Sequence, residues 1–126
     1  METLQKDRLQ VLLSVGTDDP MRAELALQTA LAAASCGVSV TLFLTQAGSV
    51  WGCQGVLPGR AGELQGMVDV LLSLDVAIEC CASCAERTCN DSVVAGEWGS
   101  LRKGVVPTGL VTFASRSAQG CPTVTF

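Results

Sequence analysis

Apolar residues recur along this chain in two rhythms, short branched runs and longer stripes at helical spacing. Arg8-Leu-Gln-Val-Leu-Leu-Ser-Val15 is short and apolar and predicts a buried strand. Gly16 to Pro20 is a turn. Asp19 is placed to cap a helix, and Pro20 occupies its first position. The helix runs from about Met21 to Cys36. Ala23, Ala26, Leu27, Ala30, Leu31 and Ala34 form its apolar face, and Gly37 stops it. Val38 to Leu44, rich in β-branched residues, predicts a second strand. Short strand–helix–strand connections make the two strands parallel.

Thr45 to Gly62 holds five glycines, with Trp51, Cys53 and Pro58, and reads as a long loop. Its glycines follow neither phosphate-cradling pattern. Glu63 to Leu74 predicts a second helix, with Leu64, Met67, Val68, Leu71 and Leu72 on one face. Val76 to Cys80 is a third strand. A cysteine-rich turn and a helix-compatible run follow it. Asn90 to Gly104 is mixed, and Trp98 is its only aromatic residue. Val105-Val106 is a brief fourth strand. Gly109 to Ala118 is a short helix with Leu110, Phe113 and Ala114 inward, and Pro122 to Phe126 is a final strand. The alternation predicts an α/β fold: a three-layer α/β/α sandwich around a five-stranded, mainly parallel sheet, with residues 1–126 as a single domain. Chemistry in such sheets sits outside the carboxyl ends of the strands. The cysteine turn and the glycine-rich loop should open onto the same edge.

Composition narrows the chemistry. The chain of 126 residues carries a net charge of −4 and has no histidine and no tyrosine. Ser-His-Asp and Cys-His catalysis within one chain are therefore excluded, as are His-ligated metals. No basic patch with interleaved aromatics points to nucleic acid. Met1 to Gln10 is polar, and Leu25 to Ala34 is too short to span a bilayer, so a cytoplasmic location is expected. In that compartment the seven cysteines read as catalytic, redox or metal-binding groups, not as a disulfide framework.

Four of those cysteines, Cys80, Cys81, Cys84 and Cys89, fall within ten residues at the strand-to-helix junction. A thiol at such a junction meets backbone N–H groups and the positive end of a helix dipole, which favours the thiolate. Alternation from Val76 and Ile78 turns Cys80 toward the core and Cys81 toward the turn, so Cys81 is the candidate nucleophile. Cys84 lies one helical turn on, on the same face. Cys89 joins them if the helix is short. Cys53 lies in the loop that faces the turn, as a second redox partner or an incidental thiol. Cys36 reads as a small apolar residue under the sheet, and Cys121 as structural. Arg87 is placed to lend positive potential to a thiolate. Glu79 and Glu86 read as solvated charges. Trp51 and Trp98 pack locally in their loops or form a lid or subunit contact. A thiolate metal site, zinc or iron–sulfur, would draw on Cys80, Cys81, Cys84 and Cys89, with Cys53 as a better fourth ligand. Nothing in the sequence calls for a cofactor.

Taken in order, several motifs carry a likeness: Asp19 to Ala23, Val40-Thr-Leu-Phe-Leu44, Cys81-Ala-Ser-Cys84 after a strand, and Gly104-Val-Val-x-x-Gly-Leu110 leading to Thr123-Val-Thr-Phe126. Over nearly its whole length the chain resembles the DsrE/TusD/YchN-like sulfur-relay family. The resemblance implies a three-layer α/β/α fold and homo- or hetero-oligomers, often trimers or hexamers. It further implies a cytoplasmic sulfur carrier whose cysteine persulfide lies just after the third strand, at Cys81, serving donor and acceptor proteins. Cys84 matches a second cysteine that only some members have, and it is placed to resolve a persulfide or mixed disulfide on Cys81. Cys80, Cys89 and the Trp51/Cys53 loop depart from the family pattern. A non-catalytic subunit of a redox or sulfur assembly is the other reading.

Overall fold

In a computed structural model, residues 7–89 and 101–126 are described. Five strands, β1 (Arg8–Leu13), β2 (Ser39–Leu44), β3 (Ala77–Cys81), β4 (Val105–Thr108) and β5 (Thr123–Thr125), form one sheet in the order β4-β3-β2-β1-β5. All neighbouring strands are parallel, so their carboxyl ends share one edge. Four helices connect them: α1 (Pro20–Ser35), α2 (Gly59–Ser73), α3 (Ala82–Cys89) and α4 (Leu110–Ala118). This is the expected three-layer α/β/α sandwich. The Asp19 side chain accepts from the Arg22 amide, which caps α1 as its sequence requires.

Strand alternation divides the sheet into two unlike faces. Val11, Leu13, Leu42, Leu44, Ile78 and Cys80 face the main core, against Ala23, Ala26, Leu27 and Ala30 of α1 and Leu64, Val68 and Leu71 of α2. The opposite face carries Gln10, Phe43 and Glu79 and is covered by α4. Phe43 and Phe113 meet there with ring centroids 5.3 Å apart. Buried Gln10 donates to the Phe113 carbonyl at 3.0 Å and accepts from Arg116 Nε at 2.9 Å. Arg116 forms a two-pronged ion pair with Glu79. Glu79 is therefore not the solvated charge that its strand-end position suggested. Its alternation partner is Phe43, so it sits under α4, and Arg116 neutralises it.

Several expectations need correction. In α4 only Phe113 is buried; Leu110 is 55% exposed and Ala114 is exposed. A nine-residue helix lying alone on the sheet buries one stripe only. Cys36 is exposed. It lies six residues beyond Ala30, and at roughly 100° per residue it has rotated off the buried stripe. Trp98 lies outside the described residues, as does the stretch 90–100 of the mixed segment. Among the described residues, no helix is long and apolar enough to cross a membrane.

The glycine-rich segment is built, not loose. Its first part is a 3-10 helix (Gln46–Gly52), and α2 begins at Gly59, four residues before the expected start. Gly48 is required there: a Cβ would lie 2.2 Å from the Leu13 carbonyl oxygen. Trp51 is fully buried and donates Nε1–H to the Val15 carbonyl at 2.9 Å, so it is core packing and neither a lid nor a subunit contact. Buried Gln65 holds the following turn, donating to the Gly55 carbonyl at 2.7 Å and accepting from the Leu57 amide at 2.8 Å.

The segment then closes on α3. Cys53 and Cys89 form a disulfide with Cα atoms 5.3 Å apart. The loop thiol does reach the cysteine turn, but its partner is the last residue of α3. The expectation that the cysteines are catalytic, redox or metal-binding groups and not a disulfide framework is overturned for this pair. Gly52 also accepts from the Arg102 amide at 2.8 Å, and Cys53 bridges Leu101. The chain thus leaves Cys89 and returns at Leu101 beside one anchor. The disulfide closes a separation of 36 residues, for which loss of unfolded-chain entropy gives about 3–4 kcal/mol. Cys53→Ser and Cys89→Ser should each lose roughly that much in urea unfolding without reductant, and the double variant should lose no more than either single. Equal stability with and without reductant in the wild type would contradict the assignment.

Candidate functional site at the end of β3

The candidate site forms where β3 passes into α3 with no intervening residue. Cys80 is the last core-facing position of β3 and is fully buried. Burial pushes its thiol up to about 11, which keeps it protonated and inert. Cys81 points to the other side and is partly exposed. It precedes Ala82, the first residue of α3, so its sulfur occupies the place of a helix-capping side chain. Partial burial opposes its ionisation. Hydrogen bonds from the Ser83 hydroxyl, the Cys84 amide, the Cys84 thiol and the Thr45 hydroxyl outweigh that, and bring the Cys81 thiol down to about 7. Ser83 Oγ lies 3.5 Å from Cys81 Sγ.

Cys84, on the first turn of α3, is buried beneath this thiol at 3% exposure. Its sulfur lies 3.8 Å from Thr45 Oγ1 and receives a hydrogen bond from Arg87 Nη2, also at 3.8 Å. A cleft of about 610 Å³ opens over Cys81 and Cys84, between Thr45, Arg87 and the β4–α4 junction at Thr108–Leu110. No acidic side chain lines it among the described residues, so Arg87 sets its charge. Glu86 is exposed on α3. Thr108 pairs in register with Cys81, and its Oγ1 is buried without a hydrogen-bond partner among the described residues.

The structure therefore gathers Cys81, Cys84 and Arg87 and separates the remaining candidates from them. Cys80 lies on the core side. Cys89 and Cys53 are bonded to each other. Cys121 is buried, with its thiol 3.6 Å from the Pro122 carbonyl. The four-thiolate metal site is ruled out: the Cys89 sulfur is spent on Cys53, and alternation sends Cys80 and Cys81 to opposite faces. Among the described residues, no group of three or more histidine, cysteine or acidic side chains could hold a metal.

Thr45, Ser83 and Thr108 were missed in the sequence. For Thr45 and Thr108 a signal existed. Parallel pairing sets Leu44 beside Cys80 and Thr108 beside Cys81, so the residue after β2 must flank the residue that ends β3.

Known proteins share this fold. The DsrE/DsrF-like family model matches residues 7–126. The crystal structure of the YchN protein from E. coli superposes with a TM-score of 0.75 at 20% identity, over 97% of this chain and 100% of that one. A conserved protein of unknown function from Bacteroides thetaiotaomicron, BT1422, gives 0.68 at 17% identity, over 95% of both chains. At these identities the two structures establish the fold. No curated protein matches the chain.

The thiolate is the reactive form, so alkylation of Cys81 should accelerate as pH rises through about 7. Thr45→Val and Ser83→Ala should each move that midpoint upward, and Thr45→Ser should hold it. Peptide-resolved iodoacetamide labelling across pH measures this. A midpoint at the ordinary cysteine value of about 8.5 would contradict the site.

Proposed function

Because the chain belongs to the DsrE/DsrF-like family, we propose that it is a sulfur-relay protein that carries sulfane sulfur as a persulfide on Cys81. The observation that carries this reading is the contrast between neighbouring thiols. Cys81 combines exposure to the cleft with ionisation near neutral pH, whereas adjacent Cys80 is buried and held protonated. The Cys81 thiolate attacks the outer sulfur of a donor protein's persulfide and displaces the donor thiolate. An acceptor thiolate then takes the outer sulfur from Cys81. No imidazole is needed, because the α3 amide and the flanking hydroxyls supply the stabilisation. Arg87 opposes the charge of the persulfide anion, and the unpaired Thr108 hydroxyl offers it a donor at the same end of the sheet. The setting we infer is the cytoplasm, with donor and acceptor proteins as partners and no direct role for nucleic acid.

The reading extends to assembly. The face covered by α4 leaves Val106 54%, Leu110 55% and Val111 82% exposed, and Leu110 also lines the cleft. Burial of such residues favours an oligomer, of the trimer or hexamer kind or with a different chain. Light scattering should show a mass above that of one chain, and Val111→Asp should reduce it. A monomer at micromolar concentration would argue against self-assembly.

The persulfide is tested by mixing reduced protein with a sulfane-sulfur donor, quenching within seconds with an alkylating agent, and weighing the peptide that contains Cys81. It should gain one sulfur, roughly 32 Da. Cys81→Ser should abolish the gain. An adduct that survives Cys81→Ser would refute the assignment.

A further inference from the structure

Relay requires only one thiol, yet this chain buries a second directly beneath the first. Cys84 is 3% exposed, lines the same cleft as Cys81 and lies within hydrogen-bonding reach of its sulfur. A docked acceptor approaches from the cleft and meets the outer sulfur of a Cys81 persulfide. Cys84, already a hydrogen-bond partner of Cys81 Sγ, meets the inner one. The two thiols therefore attack different atoms. Three features prepare Cys84 for that attack. It stands on the first turn of α3, three residues after Cys81. The Arg87 guanidinium donates to its sulfur at 3.8 Å. Thr45 Oγ1 contacts the same sulfur from the end of β2.

The fold also holds Cys84 in place. An eight-residue helix is marginal on its own. The Cys53–Cys89 disulfide fixes the far end of α3 to the 3-10 helix, and β3 fixes its near end. Cys81 immediately precedes α3 and Cys84 stands on its first turn, so the two thiols are neighbours in space.

We propose that, when no acceptor is docked, Cys84 discharges the Cys81 persulfide as hydrosulfide. This rests on the persulfide reading above and adds a second outcome at the same site. The Cys84 sulfur bonds to Cys81 Sγ, and the bond between Cys81 Sγ and the outer sulfur breaks. The outer sulfur leaves with that electron pair and the Cys84 proton, as HS⁻. The sulfane sulfur is reduced, and the two thiols are oxidised to a Cys81–Cys84 disulfide. An external dithiol reductant returns them to the starting state by exchange. The chain is then a sulfane-sulfur reductase in the absence of its acceptor and a carrier in its presence.

The test uses the whole chain with Cys81 and Cys84 as thiols and the Cys53–Cys89 disulfide intact, and inorganic polysulfide as the probe. After rapid desalting with no thiol added, intact mass and hydrosulfide release are followed in time. The wild type should release hydrosulfide and end with a mapped Cys81–Cys84 disulfide. Cys84→Ser and Cys84→Ala should keep the added sulfur at least about tenfold longer, because the intramolecular attack is lost. Both variants should release hydrosulfide once an external thiol is added. If the wild type holds its added sulfur as long as the Cys84 variants do, discharge is overturned and the carrier reading stands. If neither the wild type nor the Cys84 variants gain sulfur at Cys81 and no Cys81–Cys84 disulfide appears, both readings fall.

Discussion

The structure of this site depends on one constraint: β3 runs into α3 without a connecting residue. A strand alternates its side chains, and a helix start needs a side chain to accept its free N–H groups. Imposed on adjacent cysteines, these demands separate them. Cys80 is turned into the core and kept protonated by burial, and Cys81 is turned to the helix terminus, where the Ser83 hydroxyl and the Cys84 amide lower its pKa. Two identical neighbouring residues thus acquire unlike chemistry, because backbone geometry sends one into the core and the other to the hydroxyls and amide at the helix start. A loop of even two residues would leave Cys81 without the Cys84 amide, and Cys84 without its place beneath Cys81.

Parallel register does the rest. Because β2 and β4 flank β3, their carboxyl ends deliver Thr45 and Thr108 to the same thiol. The 3-10 helix that follows Thr45 brings Cys53 behind the site, where it holds the end of α3. The seven cysteines therefore divide by task. One pair is structural and already oxidised, one pair is reduced and faces the cleft, and the other three stand apart. The Gln10–Arg116–Glu79 network anchors α4 on the opposite face, and the start of α4 forms the far wall of the cleft.

Much of this was legible in the sequence, because the signals were local. Asp19-Pro20, the alanine stripe of α1 and the branched runs of β1 and β2 each fix one element and together fix the fold class. The same alternation rule sorted Cys80 from Cys81, and helical spacing coupled Cys84 to Cys81. What stayed hidden depends on long-range contact. No local pattern reveals that Cys53 meets Cys89, because that pairing follows from how a 3-10 helix turns after β2. Glu79 looked solvated because its partner, Arg116, lies 37 residues away. Cys36 was read as a small apolar residue under the sheet, but at the end of α1 it has rotated off the buried stripe and is exposed. Trp51 stood in a glycine-rich segment that reads as a loop, yet its ring fills the core.

The proposed relay requires sulfane sulfur to enter at Cys81 and at no other cysteine. The most direct measurement is the chemical state of each cysteine in the protein taken from its own cell under immediate alkylating quench, resolved by peptide mass. The account predicts Cys81 as a persulfide or bonded to Cys84, Cys53 bonded to Cys89, and Cys80 and Cys121 as unmodified thiols. A persulfide on Cys80 or Cys121 with Cys81 left as an unmodified thiol would contradict it.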